Sequence, residues 1–598
     1  MIKGRLVKLR TKMKAAEIDC YLIPTSDEHD SEYVSRFFMV REYFSGFTGS
    51  AGTLVVTQET AVLFTDGRYF IQAEQELQGT EIQLMKMGEP GVPTISQYLE
   101  RTLQPKQTLA FDGRVVRAEE AKRYEKIMKS KEGRIAWDQD PADRIWLNRP
   151  ELCFNPIYVL ADEYCGESTT DKLKRLRDKM QKEGASIHIL TTLDDIAWLL
   201  NIRGNDVESC PVVLAFAVIT QTEALLFTGK RVRPTVSTEV KDYLKGIGVQ
   251  LLPYSQFYQY VAQIREERLL ICEERISYRL LKELKEDVTI LDRPNPTTFM
   301  KAVKNPIEME NLRKAHLMDA VAVTKFMYWL KNNVEQIPMT EVSATEYLEK
   351  LRRRQASFIE PSFETICAYG ANGAIIHYSA KPESCAQIMA SGLLMVDSGG
   401  HYLEGTTDIT RTFVLGPISD EMKRHFTLVV RAMLNLKTTK FMYGCRGINL
   451  DIRAREVLWT EGLDYKHGTG HGVGYLLNVH EGPNSFRWKL MPDYQDNAIL
   501  EEGMVTTDEP GIYIEGSHGI RIENELLCRK GTRNEYGQFM YFEDLTYVPI
   551  DLDGIEPSQM SEEEIRELNE YHKAVYEKLK PYFTEKELKW LRDATREI

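Results

Sequence analysis

The pattern of apolar and polar positions in the first half of the chain occurs twice. An amphipathic charged segment at residues 5–13 reappears at residues 172–180, and a short apolar strand follows each copy. A second block, residues 57–65, reappears at residues 220–228. Chance similarity between two amphipathic helices would explain the first pair but not the second. We therefore predict two homologous α/β modules in tandem, each beginning with a helix and then alternating strands with helices.

The pattern changes after residues 291–296, where two prolines indicate a linker. Asn305, Pro306 and Glu308 stand where a helix N-cap, its first position and its third position prefer these residue types, and apolar residues at helical spacing follow to about residue 332. A second helix start is predicted at Ser561, with Glu564 at its third position.

Between these two helix starts, short β runs separated by glycines alternate with helices. Strands are expected at 392–396, 407–415, 504–508, 511–514 and 520–526, and helices at 420–435 and 449–460. This pattern predicts an α+β domain around an antiparallel sheet. The fold class is therefore multidomain, α/β and then α+β, with predicted domains at 1–158, 159–300 and 301–598.

Composition narrows the classes of function. The 598 residues are 43% hydrophobic and 28% charged, as in ordinary globular proteins, and the net charge of −13 disfavours binding to nucleic acid or to an anionic membrane. The nine cysteines are scattered without a CxxC pair, which indicates free thiols in a reducing compartment. No run approaches about 18 consecutive apolar residues. We expect a cytoplasmic protein.

Four acidic residues flank the predicted β turns in pairs. If the runs around residues 399–405 form a hairpin centred between Tyr402 and Leu403, the carboxylates of Asp397 and Asp408 face each other. Glu509 and Glu523 are related in the same way about Gly516. Four like charges need a counter-charge, and a divalent metal is the usual one.

A nitrogen ligand is available in the glycine-rich segment 467–474, which contains His467 and His471. Glycine disfavours a helix, so an extended segment is expected, with one histidine as ligand and the other behind it. Each candidate taken alone is more often structural, and only their joint order indicates a site. Four carboxylates and one imidazole favour Mn²⁺, with Co²⁺, Fe²⁺ and Zn²⁺ left open, and suit a metal pair about 3.5 Å apart that activates a hydroxide.

These residues carry a resemblance to a known family. In order and context, the five candidate ligands resemble the signature of the pita-bread metallopeptidases, which include methionine aminopeptidase, prolidase and aminopeptidase P. Residues 373–378, 402–412 and 467–473, together with 46–52 and 65–69, resemble the aminopeptidase P (Xaa-Pro aminopeptidase) family in its long, cytosolic form. The resemblance implies two creatinase-like N-terminal domains before a pita-bread catalytic domain.

The resemblance also implies a reaction and a role for each residue. It implies hydrolysis of the bond between an N-terminal residue and a following proline by a hydroxide that two metals activate, in a homodimer. Asp408 and Glu523 would bridge the metals, Asp397 would bind one, and His471 with Glu509 the other.

Further roles follow from the same resemblance. His377 and His480 would bind substrate and stabilise the oxyanion, while His467 lines the site. Glu509 would also accept the proton. In the first domain, Arg68 would contact substrate. Arg521 is expected to pair with a carboxylate.

Two alternatives stay open. Prolidase cleaves only Xaa-Pro dipeptides, and the tandem N-terminal modules argue against it. Some pita-bread relatives are non-catalytic binding modules, but these usually lack several of the five ligands, all of which are present in this sequence.

Overall fold

The computed structural model describes residues 2–229, 236–490 and 497–598. Its contacts divide the chain into two compact units. The first contains the residues up to Ala161 and Glu167–Thr297, and the second contains Asp162–Gly166 and Thr298–Ile598. The predicted N-terminal modules fall in the first unit except for residues 162–166 and 298–300. The predicted boundaries at 158/159 and 300/301 stay a prediction.

The first unit is built on two six-stranded sheets of identical strand order. In each, the first strand along the chain is internal, the second, third and fourth follow in order on one side, and the fifth and sixth on the other. The strands of the first sheet are Cys20–Pro24, Thr53–Thr57, Ala61–Thr65, Ile82–Lys86, Thr108–Phe111 and Arg134–Ala136. Those of the second are Ile187–Leu190, Ala215–Thr220, Ala224–Thr228, Val249–Leu252, Arg268–Ile271 and Thr289–Asp292. The predicted repeat is confirmed.

The helices that cover these sheets repeat as well. They are Ile2–Ala15, Val40–Ser45, Phe70–Glu76, Ile95–Thr102, Ala118–Ser130, Thr169–Glu183, Leu193–Leu199, Thr238–Gly246, Phe257–Val261 and Tyr278–Glu283. The first helix of each module buries three matching side chains, namely Leu6, Leu9 and Met13 in one and Leu173, Leu176 and Met180 in the other. Because these positions recur at helical spacing, each helix presents one apolar stripe to its sheet.

The second unit combines an antiparallel core with helices. Its strands are Met339–Thr340, Phe358–Pro361, Ile366–Tyr369, Gln387–Ile388, Leu393–Ser398, Gly400–Tyr402, Gly405–Thr406, Ile409–Val414, Phe441–Met442, Gly470–Gly472, Glu481–Phe486, Val505–Asp508, Gly511–Ile514, His518–Arg521, Asn524–Asn534 and Gly537–Asp544. Its helices are Asp162–Cys165, Pro296–Ala302, Pro306–Asn333, Glu341–Arg352, Asp420–Lys437, Gly447–Leu450, Ile452–Trp459, Glu562–Leu579 and Glu585–Ala594. Both predicted helix starts are confirmed, since Asn305 and Ser561 each form a capping box.

The hairpin that was expected to place Asp397 opposite Asp408 has a different register. Asp397 lies opposite Thr410, and the innermost pair of the connection is Tyr402 with Gly405. The turn is therefore centred between Leu403 and Glu404, one position later than predicted. Gly405, which ends it, has a φ of +142° that glycine adopts readily. The predicted direct pairing of the two aspartates is wrong.

The hairpin around Gly516 has the predicted centre. Ile514 lies opposite His518 around this glycine, whose φ is +74°. The pairing of Val505–Asp508 with the start of Asn524–Asn534 continues in the same register. Glu509 and Glu523 consequently occupy opposite positions at the junction between the two ladders.

Two expectations about chain chemistry can also be compared with the structure. No disulfide joins any two of the nine cysteines, all of which lie in the described ranges. Among the described helices, none is both long enough and apolar enough to cross a lipid bilayer.

Candidate metal centre

Three of the predicted ligands converge in the second unit. One donor atom each from Asp408, His471 and Glu523 lie within 4.8 Å of one another. Asp408 precedes strand Ile409–Val414, His471 lies in strand Gly470–Gly472, and Glu523 precedes strand Asn524–Asn534. Three distant parts of the sequence thus bring two buried carboxylates and a half-buried imidazole to one point.

The other two predicted ligands flank this cluster. Glu509 Oε1 lies 3.6 Å from His471 Nε2. Asp397 accepts a hydrogen bond from Arg521 through Oδ2 at 2.6 Å. Its Oδ1 is buried and has no hydrogen-bond partner among the described residues. One oxygen of Asp397 is therefore available to a cation, while the other is held by Arg521, which pairs with a carboxylate as expected.

The orientation of His471 is what a cation requires. Its Nδ1 lies 2.9 Å from the carbonyl oxygen of Gly472, so the ring proton is assigned to Nδ1. The lone pair of Nε2 then faces Asp408 Oδ2 at 3.5 Å and Glu509 Oε1 at 3.6 Å. A lone pair repels two carboxylate oxygens unless a cation lies among them. The donor set fits a divalent cation, and its oxygen-rich character suits hard ions.

The pKa values of the carboxylates also indicate a site for cations. Burial, followed by the nearby charges of Glu523 and Asp397, raises the pKa of Asp408 well above its usual range. Burial and Glu509 do the same to the pKa of Glu523. Burial raises the pKa of Glu509 to about 7, against the opposing effect of Arg521. The carboxylates oppose each other's ionisation until positive charge compensates them.

Within the glycine-rich segment 467–474, which was expected to be extended, Gly470–Gly472 forms a strand that its neighbours approach closely. A Cβ on Gly470 would lie 1.8 Å from the carbonyl oxygen of Thr507, so only glycine allows this strand to lie beside Val505–Asp508. Thr507 Oγ1 then accepts from the amide of His471 at 3.0 Å and donates to Glu509 Oε1 at 3.3 Å. One hydroxyl connects two of the predicted ligands.

His467 is connected to the centre through Tyr513, a residue that the sequence analysis missed. His467 Nδ1 lies 2.7 Å from the carbonyl oxygen of Gly468 and is therefore the protonated nitrogen. The Tyr513 hydroxyl donates to Nε2 at 2.8 Å and accepts from Arg521 Nη1 at 2.7 Å. Burial, together with Arg521, holds the pKa of His467 well below its usual range. His467 is thus a neutral imidazole of defined tautomer.

The two remaining histidines lie near the cluster. The rings of His480 and His471 form an edge-on contact with centroids 4.2 Å apart. His480 also acts electrostatically on Glu509, lowering the pKa that burial has raised. His377 is half-buried. Its charge contributes, after burial, to lowering the pKa of His467.

Arg68 lies in the first unit. Its Nε and Nη2 donate to the two carboxylate oxygens of Asp66, at 2.9 and 2.8 Å, and Glu32 lies 3.8 Å away. These acidic partners fix its guanidinium just after strand Ala61–Thr65.

Family models cover most of the chain. Residues 310–530 match Metallopeptidase family M24, and residues 538–598 match the C-terminal region of peptidase_M24. The Creatinase/Prolidase N-terminal domain matches twice, at residues 5–135 and 148–308.

Full-length relatives are also found. Aminopeptidase P1 of Arabidopsis thaliana is 36% identical over 97% of either chain. Xaa-Pro aminopeptidase 1 of Dictyostelium discoideum is 35% identical over 100% of this chain and 97% of its own. A solved X-prolyl aminopeptidase from Caenorhabditis elegans, described as a cytosolic enzyme with a di-nuclear active site, covers 100% of both chains with 31% identity and a TM-score of 0.94.

Proposed function

The chain belongs to the aminopeptidase P family of M24 metallopeptidases, and we propose that it removes the N-terminal residue of peptides whose second residue is proline. The observation that carries the proposal is the convergence of Asp408, His471 and Glu523 within a chain that matches named Xaa-Pro aminopeptidases over its full length.

We propose that the centre holds two divalent cations, most consistently Mn²⁺, with Zn²⁺ and Co²⁺ as alternatives. Asp408 and Glu523 would hold both ions, Asp397 one of them, and His471 with Glu509 the other. Asp397 Oδ1, which has no hydrogen-bond partner in the described part of the chain, and the directed lone pair of His471 support this assignment. The Caenorhabditis enzyme, described as di-nuclear, supports the number.

Bound cations would lower the pKa of water and polarise the scissile carbonyl. Glu509 takes the proton that the attacking water loses and passes it to the leaving proline nitrogen. A carboxylate beside the attacking water can accept its proton and return it to the leaving nitrogen. His377 and His480 donate to the developing oxyanion. His467, kept neutral by burial and by Arg521 and hydrogen-bonded to Tyr513, lines the pocket.

Specificity for proline follows from its chemistry. The proline nitrogen of the scissile bond carries no hydrogen, and the proline ring fixes φ. A pocket without a hydrogen-bond acceptor at this position would disfavour every other residue, whose N–H would stay unsatisfied. A pocket shaped to the ring would also exclude open side chains. We assign Arg68 to substrate binding from the family resemblance. Arg68→Ala should raise KM with little change in kcat.

We propose that the protein is cytoplasmic and a homodimer. The free thiols and the cytosolic description of the Caenorhabditis enzyme support the location. The family resemblance supports the dimer, which sedimentation would test.

The decisive experiment compares variants on an Xaa-Pro-Yaa tripeptide with an excess of added Mn²⁺. His471→Ala and Glu523→Ala should abolish release of the first residue and reduce the metal content measured by elemental analysis. Glu543→Ala, which removes a partner of Arg313 in the same unit, is the matched control and should retain both. Full activity of either ligand variant, or of the chelated protein, would disprove the metal mechanism.

The same assay distinguishes the proposed aminopeptidase from a prolidase. A solved Xaa-Pro dipeptidase from Bacillus anthracis covers 64% of this chain at 23% identity with a TM-score of 0.50, which shows a shared fold alone. Cleavage of Xaa-Pro dipeptides without cleavage of the tripeptide would identify a prolidase.

A further inference from the structure

A fifth carboxylate, Glu525, lies beside the candidate metal centre and belongs to none of the proposed ligands. It follows Glu523 by two residues, at the start of strand Asn524–Asn534, and its side chain is fully buried. A buried carboxylate among other carboxylates is unfavourable unless hydrogen bonds satisfy it. Its contacts therefore indicate what it does.

One oxygen of Glu525 holds the backbone of Asp408. Oε1 accepts the amide N–H of Asp408 at 2.6 Å. Asp408 lies between strand Gly405–Thr406 and strand Ile409–Val414, outside both ladders. Without Glu525, this buried amide would lose its only hydrogen-bond acceptor among the described residues, and the segment that carries the Asp408 side chain would lose its anchor.

The other oxygen is held by His316. Oε2 lies 3.2 Å from His316 Nε2, and both side chains are fully buried. His316 Nδ1 is buried without a hydrogen-bond partner among the described residues. If the proton were on Nδ1, this buried N–H would have no acceptor, and the lone pair of Nε2 would face and repel the Glu525 carboxylate. The proton therefore belongs on Nε2, which donates to Glu525.

We propose that Glu525 is a positioning residue of the metal centre. It fixes Asp408 through the backbone amide, and His316 fixes the rotamer of Glu525. Two hydrogen bonds thus connect helix Pro306–Asn333, which carries His316, through Glu525 to Asp408. The proposal rests on the proposed function for its activity measurement alone, because its effects on metal affinity and on the Asp408 amide are measured without a peptide substrate.

The test compares Glu525→Met, which removes both acceptors, with Glu525→Gln, which retains Oε1 for the Asp408 amide. The glutamine NH₂ then faces His316 Nε2, which can accept from it once the ring proton moves to Nδ1. Calorimetry on metal-free protein should show that Glu525→Met weakens Mn²⁺ binding by about 10- to 100-fold, the usual effect of losing a group that orients a metal ligand. Glu525→Gln should recover most of this loss. At saturating Mn²⁺, Glu525→Met should reduce kcat with KM little changed.

Hydrogen exchange gives a second measurement. The amide of Asp408 should exchange faster in Glu525→Met than in the wild type or in Glu525→Gln, with the metal-free proteins compared at one pH. His316→Leu, which leaves the Glu525 acceptor but frees its rotamer, should give an intermediate Mn²⁺ affinity and covers the case in which Glu525→Met does not fold.

Asp551→Leu is the matched control. Asp551 is a buried carboxylate that accepts the amide of Val414, in the strand that follows Asp408, at 2.8 Å. This variant should lose stability but keep wild-type Mn²⁺ affinity.

Three outcomes would overturn the proposal. In the first, Glu525→Met keeps wild-type Mn²⁺ affinity. In the second, Glu525→Gln is no better than Glu525→Met. In the third, Asp551→Leu loses affinity equally. A wild-type chain that binds Mn²⁺ but cleaves no proline peptide would instead refute the proposed function and leave these affinity comparisons intact.

Discussion

The hydroxyl of Tyr513 bridges His467 and Arg521, at 2.8 Å from His467 Nε2 and 2.7 Å from Arg521 Nη1. Because it accepts from Arg521, its single proton points to His467. Arg521 in turn holds Asp397, so the orientation of a proposed ligand and a hydrogen bond to a pocket histidine both depend on one phenol.

Replacing Tyr513 by phenylalanine should therefore impair catalysis without emptying the centre. We expect kcat to fall about 10- to 100-fold, as is usual when a group that orients a metal-site residue is lost. The Gly468 carbonyl oxygen would still hold the proton on Nδ1, but His467 Nε2 would lose the hydrogen bond from Tyr513, so the pH dependence of kcat should also change. Steady-state kinetics between pH 5.5 and 9 would measure both effects. An unchanged pH profile with full activity would contradict this role.

Metal binding should release protons at mildly acidic pH. The pKa of Glu509 is raised to about 7 and the pKa values of Asp408 and Glu523 are raised well above their usual range, so the metal-free centre retains protons that cations must displace. Apparent Mn²⁺ affinity should rise with pH through about 7. Calorimetry in buffers of different ionisation enthalpy should detect release of at least one proton near pH 6 and fewer near pH 8.5. Equal proton release at the two pH values would contradict this.

A buried ion cluster beside the centre should contribute strongly to stability. Lys304 Nζ lies 2.5 Å from Glu481 Oε1, and Lys301 Nζ lies 3.2 Å from Oε2, with all three side chains at most 2% exposed. Glu481→Met leaves two buried ammonium groups without this counter-charge and should lower the free energy of unfolding by about 3–5 kcal/mol. The pair Lys304→Met and Glu481→Met should be less destabilising together than their sum in a urea-unfolding cycle. Additivity would show that the contact contributes nothing.

Asp27 should make stability depend on pH. Burial raises the pKa of Asp27 from 3.8 to about 6, against hydrogen bonds from Ser31 and His29. The folded chain therefore keeps a proton that the unfolded chain loses, and this stabilising contribution, about 3 kcal/mol, disappears as pH rises from about 4 to about 6. Asp27→Asn retains an acceptor for both amides and cannot ionise.

The stability of Asp27→Asn relative to the wild type should consequently increase over that pH range. Urea unfolding at pH 4.5, 5.5 and 7.5 would measure the difference. The exposed Asp242→Asn in the same unit is the control and should show no such trend. A constant difference for Asp27→Asn would contradict the assignment.

The repeated modules and the cluster of Asp408, His471 and Glu523 could be predicted because their signals are local or ordered along the chain. Leu6 and Leu173 belong to helical stripes that are visible in the sequence, and Gly516 marks a turn whose centre is fixed by the residues around it. The predicted pairing of Asp397 with Asp408 was wrong because the register of a hairpin depends on where its turn begins. The turn lies one position later than predicted, so Asp397 faces Thr410 instead.

The supporting residues were missed for a different reason. Glu525 stands two positions after Glu523, and alternation along a strand could have placed both on one face. Nothing local, however, links Glu525 to the amide of Asp408 or to His316, because those contacts join residues 117 and 209 positions apart. Tyr513 was missed because it lies far from His467 in the sequence and contacts it only in the folded chain.

The exposed tip at Gly516 would attract a protein engineer who wants to insert a label. It is a poor choice, because the two ladders that continue from this tip share one register and carry Glu509 and Glu523 at their junction. An insertion of one residue that is absorbed by either strand would turn its side chains to the opposite face. The number of residues in this solvent-exposed turn thus determines how Glu509 and Glu523 are placed relative to each other.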